Sequence, residues 1–211
     1  MDVVSEVSTI IGRGVVGLVL FAAGAGAAGV WAQTHELNSA NLDGIGPCAG
    51  MAAVFFDDRF YGLVEIGTGC WFKENRASDS YRNGDSIPGN CADAEWSSML
   101  GGAQAIYSEA WAQGFDVEAS LKTYGRLYNF FAVRDSRGLC PEGYHVPSDE
   151  EWTVLENHLG GSNVAGTALK SSPSDTPAWD GDNSSGFSVL PGGLRNFNDG
   201  HFDYQGDNGF W

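Results

Sequence analysis

Residues 124–159 read YGRLYNFFAVRDSRGLCPEGYHVPSDEEWTVLENHL, and this stretch decides the fold class. Tyr124, Leu127, Tyr128 and Phe131 fall at i, i+3, i+4 and i+7, a spacing that predicts a helix with four large apolar groups on one face. Gly138 and Pro141 bracket its exit, Gly by tolerating positive φ and Pro because it cannot extend a helix. A second helix is announced by its start. Ser148 is an N-cap, Glu151 three residues on completes a capping box, and Asp149, Glu150 and Glu151 set negative charge against the positive end of the helix dipole. Trp152, Leu155 and Leu159 form its buried stripe, and Gly160-Gly161 ends it. Tyr128, Ser148, Glu151 and Trp152 are therefore the expected structural residues of the block.

Outside the block, residues 54–56 and 61–66 read as the strands of a hairpin, with Asp57, Asp58 and Arg59 at the turn. Residues 67–75 carry Trp71 and Phe72 into the core. Asn83-Gly84 and Pro88-Gly89 mark turns. Residues 103–107 and 187–190 read as short strands, 171–186 as a Ser/Pro/Asp-rich loop, and 195–211 as a hairpin with alternating aromatics. No internal repeat is visible.

The chain has 211 residues, room for one domain of about 150 residues and an N-terminal lead. Glycine is abundant (30), aromatics reach 12% and charged residues only 18%, a loop-rich and aromatic-cored extracellular profile. The net charge of −16, from 11 basic and 27 acidic residues, excludes a phosphate-backbone partner, which needs clustered Lys and Arg. No nucleic acid is expected, and an anionic membrane surface would repel the chain.

Residues 1–32 stand apart. Val15 to Val30 is an apolar run rich in Ala and Gly, preceded by Arg13 and ending in Val30-Trp31-Ala32, which suits signal-peptidase cleavage before Gln33. The run is short for a membrane span of about 20 residues. An uncleaved anchor and a hydrophobic segment used in assembly remain alternatives, because Asp2 and Glu6 outweigh Arg13. Residues 33–53 read as a polar linker, and 54–211 as the domain. Export would place the protein outside the cytoplasm, secreted or on the cell surface. There, disulfides are the default for Cys48, Cys70, Cys91 and Cys140. Of the three pairings, Cys70–Cys91 is expected, across one turn-rich segment. No C-x-x-C exists, and His35, His145, His158 and His201 are scattered without metal-ligand spacing.

Two clusters are candidate sites. Asp180, Asp182 and Ser184 present oxygens at alternating positions, like the opening of a Ca²⁺ loop, so Ca²⁺ is the one cofactor the sequence suggests. The alternative is an Asx-rich turn. Asn196, Phe197, His201, Phe202, Tyr204 and Trp211 mix aromatic faces with polar groups, suiting sugar stacking or a protein interface; alternate members would otherwise fill the core. His145 reads as a structural histidine, and Glu150 and Glu151 as capping charges. No catalytic constellation is present.

The blocks YGLVEIGTGCWFKENR (61–76), YRNGDSIPG (81–89), DAEWSS (93–98), YGRLYNFFAV (124–133), CPEGYHVPSDEEW (140–152), VAGTALK (164–170), GFSVLPGGLRN (186–196) and GFW (209–211) resemble, in order, the Fibrobacter succinogenes major paralogous domain. The resemblance runs from about residue 60 to 211. It implies a secreted or surface domain related to the C-type-lectin-like and formylglycine-generating-enzyme folds. These are α+β folds in which two helices pack on irregular, twisted antiparallel sheets. It also implies that the chain runs on past the GFW block to a strand whose cysteine would partner Cys140. Either this sequence is a piece of a longer chain, or a neighbouring subunit supplies that strand. The enzyme chemistry does not carry over, since it uses two cysteines near the C-terminus and none follows Cys140. The expected function is a non-catalytic exported module that binds glycan or protein through its C-terminal loops. The alternative is a structural subunit of an extracellular filament or surface assembly, capable of self-association; an enzyme ranks third.

Overall fold

The computed structural model describes residues 46–107 and 116–211, together with two short backbone pairings nearer the N-terminus. The organising element is a hairpin of β3 (Ala53–Phe56) and β4 (Arg59–Ile66). Asp57 and Asp58 make the turn at φ 53° and 56°, a left-handed pair whose twist matches a two-residue hairpin and which Asp tolerates. Gly67 turns the chain into β5 (Gly69–Phe72), which pairs with β4 in the register Val64 to Trp71 and Glu65 to Cys70. Strand β2 (Phe21–Ala22) lies on the other side of β5, giving the order β2-β5-β4-β3.

Alternation along these strands loads both faces of the sheet. Tyr61, Leu63 and Phe72 meet Tyr81, Ile87, Tyr128 and Leu139 on one side. Val64, Ile66 and Trp71 meet Trp152, Leu155, Leu169 and Phe187 on the other. The Trp71 ring sits 5.1 Å from Trp152 and 5.6 Å from Phe187. A slab with apolar side chains on both faces therefore separates two cores.

The second core is closed by α4 (Asp149–His158) and α5 (Ser162–Leu169). Helix α4 starts as its sequence dictates. The Glu151 amide donates to Ser148 Oγ (3.3 Å), and Glu151 Oε2 accepts from the Ser148 amide (2.8 Å). A third cluster forms where α1 (Asp93–Ser98) meets a small sheet of β6 (Gln104–Ala105) and β7 (Leu127–Tyr128). It joins Cys91, Trp96, Ala103, Ala105 and Leu127. Strand β1 (Val16–Gly17) completes that sheet in the order β1-β7-β6.

The structure corrects three expectations. The helix predicted from Tyr124 through Phe131 does not form. Helix α2 (Val117–Tyr124), capped by Asp116, ends at Gly125, whose φ is 72°. A Cβ there would stand 2.5 Å from the Arg76 carbonyl oxygen, so only glycine fits. The chain then leaves extended. The Arg126 amide donates to that carbonyl at 2.9 Å, Leu127 and Tyr128 become β7, and Asn129 caps the single turn α3 (Phe130–Val133). Tyr128 is fully buried as expected, and its hydroxyl donates to the Ser78 carbonyl at 2.6 Å. Phe131 instead faces outward.

The second correction concerns the disulfide. Cys70 bonds to Cys48, not to Cys91. Glu65, the register partner of Cys70, accepts a hydrogen bond from the Cys48 amide (2.9 Å) and draws the end of the linker onto the sheet. Cys91 lies in the third cluster, away from that bond. The third correction is that 187–190 forms only one isolated bridge, Val189 to Lys170, and no strand. The proposed cleavage site at Val30-Trp31-Ala32 and most of the linker lie outside the described residues.

Candidate functional site

Strands β8 (Leu194–Arg195) and β9 (Phe202–Asp203) pair antiparallel and throw residues 196–201 out as a loop. Short backbone and Asx bonds shape it. The Asn196 amide donates to the His201 carbonyl (2.7 Å), and the Gly200 amide to the Asn196 carbonyl (2.9 Å). Asn196 Oδ1 accepts from the Asn198 amide and Asp199 Oδ1 from the His201 amide.

Beneath the loop lies Arg195, fully buried. Its guanidinium is sandwiched between the rings of Trp96 at 4.5 Å and Phe202 at 4.7 Å. Nε donates to the Gly200 carbonyl (2.9 Å) and Nη2 to the Cys91 carbonyl (2.7 Å), with Asp93 Oδ1 at 3.3 Å. One cation thus ties the loop, the start of α1 and the segment before it into a single rigid base. Gly200 at φ 80° makes the close approach possible, since a Cβ would stand 2.3 Å from the Asp93 carbonyl oxygen. Tyr107 adds a support, its hydroxyl accepting from the Gln205 amide (3.3 Å); burial pushes that phenol above its ordinary range.

On this base Phe197 is 40% exposed and Tyr204 56% exposed, the latter at φ 64°. His201 stands between two carboxylates, Nε2 3.6 Å from Asp93 and Nδ1 3.7 Å from Asp199. These three side chains form the outward surface. Of the six residues read from the sequence, the other three face inward. The Asn196 side chain is used in the turn, Phe202 packs on Arg195 and Tyr107, and Trp211 joins the second core with its Nε1 donating to Asn75 Oδ1 (3.3 Å). Sequence reasoning missed Arg195, Trp96 and Asp93. The available signal was an isolated arginine amid glycines and aromatics in a chain poor in basic residues.

Asp180 and Asp182 turn to different partners. Asp180 Oδ1 is 3.0 Å from Lys170 Nζ, and Asp182 Oδ1 accepts from the Ser184 amide (2.9 Å). The Ser184 hydrogen bonds hold the Asp182 carboxyl below its ordinary range. Among the described residues, no three His, Cys, Asp or Glu side chains converge on a metal position. His145 Nε2 lies 2.8 Å from Glu151 Oε1, doubling the helix cap.

Small antiparallel sheets, short helices and long ordered loops make this a mixed α+β domain. The chain belongs to the Fibrobacter succinogenes major domain family, whose model matches residues 64–211. No curated protein and no solved structure matches it.

Proposed function

We propose that the chain is a non-catalytic, exported recognition module of C-type-lectin-like build, whose C-terminal loops bind a glycan or a protein at the cell surface. The observation that carries this reading is the display of Phe197 and His201 on a loop braced by a buried, aromatic-sandwiched arginine, with Tyr204 exposed just after β9. Aromatic faces held on a rigid support bind with little loss of side-chain freedom, which is what ring stacking on sugars requires. The Cys48–Cys70 disulfide supports export, since such bonds persist in oxidising compartments. The test is a glycan array probed with the wild-type protein and a Phe197→Ala/Tyr204→Ala double variant, with and without Ca²⁺. A hit weakened at least tenfold in the variant supports the reading. Silence of the wild type, or hits indifferent to the variant, sinks it.

A structural subunit of an extracellular assembly is the second reading. Strands β1 and β2, drawn from the apolar N-terminal run, pair with β7 and β5, and the use of that run as added strands supports this reading. Filaments by negative stain would favour it, and a strict monomer on size exclusion would count against it.

A further inference from the structure

The outer edge of the β3–β4 hairpin is open. Strand β3 comes last in the order β2-β5-β4-β3, so one side of it meets no strand. The two-residue turn and the Leu63 amide, which donates to the Ala52 carbonyl (2.9 Å), fix the ladder: Ala52, Val54 and Phe56 bond to β4. Ala53 and Phe55 therefore turn their amides and carbonyls away from β4, and among the described residues nothing bonds to them. Such edges are normally guarded by a lysine, a proline or a bulge. Residues 51–56 read Met-Ala-Ala-Val-Phe-Phe, and residues 53–56 pair with β4 without a bulge.

Beside this bare ladder lies a bare pair of rings. Phe55 and Phe60 face each other across the two strands, 4.9 Å apart, and are 58% and 69% exposed. By alternation along β4, Phe60 shares a sheet face with Val64 and Ile66, which the second core covers; the Phe55–Phe60 end of that face is uncovered. Two exposed acids, Asp57 and Asp58, follow at the turn. The neighbouring cation is drawn off to α2, where Arg59 Nη2 donates to the Lys122 carbonyl (3.1 Å).

We propose that this edge takes an extended, cationic segment of another protein as a fifth, antiparallel strand. The unpaired backbone row dictates an extended occupant, and the two rings select apolar side chains at alternate positions along it. Antiparallel pairing sets the N-terminal end of the segment beside Asp57 and Asp58, which is where its Lys or Arg belongs. Charge decides against a second copy of this chain. Each copy carries −16, so the protein repels itself and attracts a basic partner. Size agrees: two phenylalanine rings offer no more than about 500 Å², short of the roughly 800 Å² per partner in a stable globular interface but enough for one added strand. The proposal uses neither the C-terminal loops nor a strand from another copy, so it stands apart from both readings above.

The probe is a fluorescein-labelled peptide, Lys-Arg-Val-Thr-Val-Thr-Val, titrated by anisotropy against the full chain. Two N-methylated forms, each blocking one alternate set of amides, and a form with Glu-Glu in place of Lys-Arg are the other arms. The expected result is saturable binding, weakened at least tenfold by one N-methylated form but not by the other, and at least fivefold by Glu-Glu. Asp57→Asn/Asp58→Asn should narrow the gap between the basic and acidic peptides, since Asn also tolerates the left-handed turn. Ala53→Pro removes only an outward amide and should abolish binding. Phe55→Ala/Phe60→Ala should weaken it at least fivefold, and Phe197→Ala/Tyr204→Ala should leave it unchanged. The wild-type circular dichroism is expected in all of these; if Ala53→Pro disturbs it, the phenylalanine variant decides alone. No binding by the wild type, equal effects of the two N-methylated forms, equal binding of the acidic peptide, undiminished binding by the phenylalanine variant, or a peptide-free dimer that Ala53→Pro converts to monomer would each overturn it.

Discussion

Residues 124–134 and 148–159 carry the same apolar spacing, yet only the second is one continuous helix. The difference lies at the ends, not in the stripe. Ser148 and Glu151 satisfy the first amides of α4 reciprocally, and nothing inside the run interrupts it. In the first segment Gly125 stops one helix, and Asn129 starts another four residues later. Between them Leu127 and Tyr128 find ladder partners in Val16–Gly17 and Gln104–Ala105. Periodicity marked Leu127 and Tyr128 as buried but misplaced Phe131; caps and glycines decide the backbone and with it which side chains turn in.

The contrast can be broken at graded cost. Trp152→Ala should have the largest effect, about 3–5 kcal/mol in chemical denaturation, because its ring packs between Trp71 and Phe187 in the core under α4. A loss below about 1 kcal/mol would show that the two-sided slab is wrong. Asn129→Ala comes next, at about 1–3 kcal/mol. Its Oδ1 accepts from the amides of Ala103 and Ala132 and its Nδ2 donates to Gly101, so one truncation uncaps α3 and orphans a buried amide just before β6. If this variant is as stable as wild type, the recapping account fails. The smallest effect is Ser148→Ala, about 1 kcal/mol, with the fold unchanged by circular dichroism.

Acid and alkali should separate the same two regions. Partial burial would raise the Glu151 carboxyl, but the Ser148 amide and His145 outweigh it and the net direction is down. A depressed folded pKa stabilises above the unfolded value near 4.5, and the contribution is lost as pH falls below it. In the core around Tyr128, burial raises the Tyr128 phenol and pushes the Cys140 thiol up to about 12. A raised folded pKa in an acid means stability is full below the ordinary thiol value of 9.0 and fades as pH climbs toward 12. Denaturation midpoints that fall above pH 9, and fall less in Cys140→Ala, would bear this out. A midpoint flat from pH 9 to 11 would refute it.

The hairpin of β3 and β4 and the capping box were legible in the sequence because each rests on contacts within a few residues, and the burial of Trp71, Phe72, Tyr128 and Trp152 because large apolar side chains in patterned runs turn inward, although the helix assigned to Tyr128 does not form. The Cys48–Cys70 bond was not, because it depends on Glu65 folding the linker back over the sheet. The C-terminal surface was half legible. Aromatic content marked the region, but which rings turn outward is decided by Arg195, and its partners Cys91 and Asp93 lie 104 and 102 residues away. No local pattern encodes such a pairing.

That clasp has a kinetic consequence. The Arg195 anchor and the Trp211 to Asn75 bond join residues 104 and 136 positions apart, whereas the β3–β4 turn closes on neighbours in sequence. Order of assembly follows from this: the hairpin early, the loop-bearing end last. In refolding, fluorescence of a Trp211 probe is expected to lag hydrogen-exchange protection in residues 53–66, and simultaneous arrival would contradict the ordering.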